Sequence, residues 1–169
     1  MRRLFVTAFT LALVFGPGPL PGQAKEGTRC TFEFELTLSP GLSMSPSTGT
    51  HGGTGPMQCD GLVNGLQPTG AGTVTDDGRY GTKDPDTCAG VQGEGTDTIK
   101  IPTANGIETV LSRYTYTAGD RLPTKGGMAA GSFTGDKFSG TFEFTVLEGD
   151  CISKPVTKVR VFGEGILHG

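Results

Sequence analysis

The chain of 169 residues has no tryptophan, two histidines and a charged fraction of only 18%. Hydrophobic residues make up 34% of it and aromatic residues 8%, too little for the broad apolar stripes of packed helices or a large two-layer core. Ala, Leu, Glu and Lys are not abundant, which argues against long amphipathic helices. Basic clusters are missing, and that excludes nucleic acid and anionic membrane surfaces as partners. Beyond the N-terminus, no apolar run approaches the roughly 20 residues of a membrane-spanning helix. Signatures of catalysis are missing as well: there is no H-E-x-x-H, no phosphate-binding loop and no dinucleotide fingerprint. The nearest approach to a nucleophile elbow, Gly41-Leu42-Ser43-Met44-Ser45, fails at its last position.

What the chain has is glycine and threonine, 29 and 24 residues, together close to a third of the sequence. Threonine between glycine-marked turns suits β-strands, and the length suits one domain. Residues 1–24 read as a signal peptide. Met1-Arg2-Arg3 is a positive start, Leu4 to Phe15 is apolar, and Gly22-Gln23-Ala24 offers the small residues of a cleavage site. The expectation is an exported, extracellular protein whose mature part, 25–169, is a single all-β domain. That part carries 12 basic and 17 acidic residues, a formal charge of −5.

Cys30, Cys59, Cys88 and Cys151 all fall in the mature part. An even number in an oxidising compartment points to two disulfides, and spacings of 29, 29 and 63 lack the close pairs of a zinc site. Three pairings are open. Cys30 with Cys59 and Cys88 with Cys151 is the favoured one, because the first two flank strand-like runs joined by one loop.

Residues 31–38 alternate without a fault, with Phe32, Phe34, Leu36 and Leu38 on one face. Asn64-Gly65 and Asn105-Gly106 are two-residue hairpin signals, and Gly135-Asp136 reads as a third. Counting outward sets Phe133 opposite Phe138, Ala129 opposite Phe142, Ile101 opposite Val110 and Asp97 opposite Tyr114. In the last strand Val159 and Val161 point inward, with Lys158 and Arg160 outward. About eight strands emerge, at 29–38, 55–63, 66–75, 90–101, 107–117, 126–134, 137–147 and 155–167. The preferred architecture is an up-and-down antiparallel β-barrel, which abolishes exposed strand edges, and a β-sandwich is the alternative. Residues 39–56 read as a long flexible loop and 76–89 as a second, acidic one.

Candidate chemistry is sparse. His51 falls in the glycine-rich loop and His168 is next to last, so both read as exposed residues without a role. Asp76, Asp77, Asp84 and Asp86 are the candidate metal ligands, although their spacing matches no calcium loop and a solvated acidic turn is the simpler reading. Glu94, Asp97 and Glu108 could supply a carboxylate pair, but on an alternating sheet they read as solvent-facing. Tyr114 and Tyr116 share one face of a strand and are candidate cavity-lining residues. No cofactor is implied.

The run Gly131-Ser-Phe-Thr-Gly-Asp-Lys-Phe-Ser-Gly-Thr-Phe-Glu-Phe144, followed by Gly149-Asp150-Cys151 and Pro155-Val-Thr-Lys158, resembles small secreted Gly/Thr-rich β-proteins of actinobacterial type. That resemblance covers about the last 40 residues and implies an exported barrel-like domain without catalytic residues to carry over. The functional expectation is a secreted, monomeric, non-enzymatic module that binds a small apolar ligand or an extracellular protein. The alternatives are a small hydrolase or cyclase-like barrel enzyme working with carboxylates and tyrosines, and a structural protein of the cell envelope.

Overall fold

A computed structural model of the protein describes residues 27–119 and 125–168. The expected signal peptide, 1–24, lies outside the described residues. Eight antiparallel strands follow one another: β1 (Thr28–Leu42), β2 (Gly49–Asp60), β3 (Gly72–Tyr80), β4 (Val91–Thr103), β5 (Gly106–Ala118), β6 (Met128–Gly135), β7 (Phe138–Glu148) and β8 (Val156–Leu167). Each pairs with its neighbour in sequence, and β1 pairs with β8, so the sheet closes as an up-and-down barrel. Of the two architectures the sequence allowed, this one leaves no open sheet edge. No helix among the described residues is long and apolar enough to cross a membrane.

The expected loop 39–56 is mostly strand: β1 runs on to Leu42 and β2 starts at Gly49, leaving a connection of 43–48. The inward positions of β2 are Gly49, His51, Gly53, Gly55, Met57 and Cys59. With almost no apolar side chain among them, the alternation that marks a strand is silent there. The expected acidic loop 76–89 shortens in the same way, because 76–80 complete β3.

The Asn64-Gly65 turn forms as read, with φ of 50° and 80° and paired hydrogen bonds between Val63 and Leu66. The other two hairpins are displaced. Phe133 pairs with Gly140 and Ala129 with Phe144, while Ile99 pairs with Val110 and Asp97 with Ser112. In one, the turn is Ala104-Asn105 and the positive-φ Gly106 follows it. The Thr103 hydroxyl donates to the Gly106 carbonyl and accepts from the Asn105 N–H. In the other, Asp136 is tied to Arg113 of β5 through both its N–H and its carboxylate, which moves the turn to Asp136-Lys137. Each displacement preserves parity, so residues set opposite one another still share a face with their new partners.

One end of the barrel is solid. Cys30, Met57, Val63, Val74, Ile99 and Ile101 are all almost fully buried there, and the Cys30–Cys59 disulfide joins directly opposed residues of β1 and β2. At the other end the connections are tied together. Ser47 and Asp86 exchange backbone hydrogen bonds, Cys88 N–H donates to the Ser43 carbonyl, and Cys88 is bonded to Cys151 in the β7–β8 connection. The Asp86 carboxylate accepts from the Gly81 and Gln92 N–H groups, which holds the β3–β4 connection in shape.

Candidate functional site

The interior has two unlike walls. Phe32, Phe34 and Leu36 of β1, with Phe142, Phe144 and Val161 of β7 and β8, form an apolar wall. Facing it, β2 to β5 turn inward a polar and glycine-rich set that includes His51, Asp76, Gly78, Gly95, Asp97 and Tyr114. Between the walls lies a cavity of about 100 Å³. Its lining reaches Leu38, Leu42, Val91, Ala118 and Val156, so it extends from mid-barrel to the end that carries the Cys88–Cys151 disulfide. Leu36, Leu38, Tyr116 and Phe142 line it and are only half-buried.

The polar wall is assembled by register. One row around the sheet reads His51, Gly78, Gly95, Tyr114, and the next reads Gly53, Asp76, Asp97, Ser112. Large rings therefore alternate with glycines, and the rings lie over them. A Cβ on Gly78 would strike the His51 ring, one on Gly95 the Tyr114 hydroxyl, and one on Gly93 the Tyr116 ring. This close approach explains why these three strand positions are glycine despite its poor strand propensity. Gly78→Ala and Gly95→Ala should each destabilise the barrel by roughly 1–3 kcal/mol through overpacking. Gly90→Ala, where a Cβ meets nothing within 4 Å, should be close to neutral. Urea denaturation midpoints of the three variants check this.

Asp76 is the hub. Its Oδ1 lies 2.8 Å from His51 Nδ1, its Oδ2 accepts the Tyr114 hydroxyl, and its carboxyl group is hydrogen-bonded to that of Asp97. All three partners are buried. Burial pushes the Asp97 carboxyl up to about 8, reinforced by the charge of Asp76 and by the hydrogen bond to it. Asp97 therefore holds its proton at neutral pH. Burial, then the same charge, holds the Tyr114 and Tyr116 hydroxyls well above their usual range, so both stay protonated. The Tyr116 ring stands edge-on to His51 with centroids 5.3 Å apart. His51 Nε2 is buried and has no hydrogen-bond partner among the described residues.

Tyr114 and Tyr116 thus sit in the cavity lining. The four candidate metal aspartates do not converge: Asp76 faces the interior, Asp77 the opposite side of β3, Asp84 is exposed, and Asp86 serves its own loop. Among the described residues no group of three or more His, Cys, Asp or Glu could hold a metal ion. Asp97 is buried, contrary to its solvent-facing reading. Glu94 meets Arg79 on the outer surface and Glu108 accepts from Asn64 at the solid end, so neither joins it. His51, read as exposed, is only 6% exposed and belongs to the site. The signal that could have found it is the spacing of His51, Gly53, Gly55 and Met57, a strand whose inward positions are filled by neighbouring rings.

These features define a small, disulfide-bonded, closed β-barrel with a half-filled interior and a polar wall. Comparison with known protein families, with curated proteins and with solved structures finds no match for this chain.

Proposed function

We propose that the protein is a secreted, non-enzymatic barrel that binds one small, largely apolar ligand in its cavity. The observation that carries this reading is the cavity itself, an apolar wall facing a compact polar cluster. An eight-stranded barrel is the size that either packs solid or holds one small ligand, and this interior is packed at one end only. A space of about 100 Å³ suits one ring or a short chain, with the rest of a larger ligand standing toward the half-buried Leu38, Tyr116 and Phe142. Two disulfides support an oxidising, extracellular destination.

The barrel-enzyme reading draws on the Asp76, Asp97 and His51 cluster, where a protonated carboxyl stands beside a second carboxyl group. Native mass spectrometry of the protein taken from its own host separates the readings. A carrier shows an added mass that leaves on unfolding and is unchanged by incubation. An enzyme shows an added mass that changes with time. A bare polypeptide argues against both and favours the structural role in the cell envelope, which requires no cavity.

A further inference from the structure

The hydrogen-bond inventory of the polar wall narrows the ligand class, on the premise that the cavity binds a ligand at all. Asp76 is fully engaged by His51, Tyr114 and Asp97, and the single Tyr114 proton is spent on it. His51 is tied to Asp76 through Nδ1. Its other ring nitrogen, Nε2, lies against Gly78, where any side chain would strike it. Among the described residues it is the one deeply buried polar side-chain atom of this wall without a partner. We infer that the cavity takes a neutral, mostly apolar compound bearing a hydroxyl group, an alcohol or a phenol, whose hydroxyl forms a hydrogen bond with His51 Nε2.

The same accounting disfavours other polar ends. A carboxylate would give up its hydration beside Asp76 and Asp97, whereas a hydroxyl both donates and accepts and so can pair with Nε2 whether or not that nitrogen carries a proton. A hydrocarbon would fill the apolar wall and leave Nε2 buried and unpaired, a cost the hydroxyl removes. The Asp76 contact fixes the orientation of the ring, so Asp76 acts as a positioning residue for Nε2.

The test uses three probes of one shape, toluene, p-cresol and p-toluate, titrated into the folded protein by calorimetry. The expected order is p-cresol about ten-fold tighter than toluene, the worth of one buried hydrogen bond, with p-toluate weakest. In His51→Leu the p-cresol advantage should vanish while toluene binding persists. Equal affinity of toluene and p-cresol for the wild-type protein overturns the inference and leaves cavity binding standing. Failure of all three to bind overturns the cavity reading itself. Should His51→Leu not fold, the imidazole ¹⁵N signals of the wild-type protein decide the matter. Nε2 should shift with p-cresol and stay with toluene, and an unmoved Nε2 in the p-cresol complex overturns the assignment.

Discussion

Between about pH 5 and pH 7 the folded barrel should lose roughly 1.4 kcal/mol of stability for each pH unit gained, and Asp97→Asn should remove that slope. Asp97 sits on β4 opposite Asp76, and its carboxyl is pushed up to about 8 by burial first, then by the neighbouring charge and the shared hydrogen bond. In the unfolded chain an aspartate titrates near 3.9, or about 4. Between those values the folded protein holds one proton more than the unfolded one, so raising the pH favours unfolding. The contribution is complete below about pH 4, declines above it, and is exhausted as the pH passes about 8. An amide in place of this carboxyl keeps the shape and donates to Asp76 without a proton to lose, so the variant should be the more stable of the two at pH 7. Asp150 acts in a separate window. The Ser153 hydroxyl and the N–H groups of Lys154, Ser153 and Ile152 hold its carboxyl below the usual range, and its effect is confined to more acidic solution. Urea midpoints measured at half-unit intervals check the slope. A wild-type profile that is flat or rising, or a variant that parallels it, would sink the assignment of the proton to Asp97.

The legible parts of this sequence are those where inward side chains are large and apolar. In β1 the run from Phe32 to Leu38 shows its face directly, and in β7 Phe138, Phe142 and Phe144 do the same. Register was legible only to parity. Turn chemistry that lies outside the hairpin itself, such as the grip of Asp136 on Arg113, displaced two hairpins without turning any side chain over. The all-β barrel class therefore survived errors in pairing that would scramble a list of contacts.

The polar wall was hidden for a different reason. Its strands keep glycine where other strands keep valine or phenylalanine, because the volume is supplied by rings from the adjacent strand. Tyr114 and Tyr116 could be placed on the inner face because tyrosine on a strand is conspicuous. His51, Asp76 and Asp97 could not be gathered without knowing that the rows His51-Gly78-Gly95-Tyr114 and Asp76-Asp97 run side by side. A composition this rich in glycine suggests loops, and here much of it is the complement of a buried aromatic and imidazole surface.

Replacing Cys88 and Cys151 together with alanine should cost about 4 kcal/mol, the loop-closure entropy of so long a separation, and lower Tm by on the order of 10 °C. The bond spans 63 residues and joins the β3–β4 connection to the β7–β8 connection, two segments that no sheet ladder brings together. Both cysteines are buried, so the substitution also leaves unfilled space in the core. The Cys30–Cys59 bond differs in kind. It spans 29 residues and links partners already opposed in the β1–β2 ladder, so its removal should cost less and leave the cavity end unaltered. The first pair, in contrast, anchors the connections above the cavity. Its loss should speed the exchange of a bound probe such as p-cresol beyond what the drop in stability accounts for. Comparing the two double variants by calorimetric melting and by probe dissociation separates the effects. If the two cost the same and release the probe at the same rate, the Cys88–Cys151 bond serves the fold alone and the cavity mouth does not depend on it.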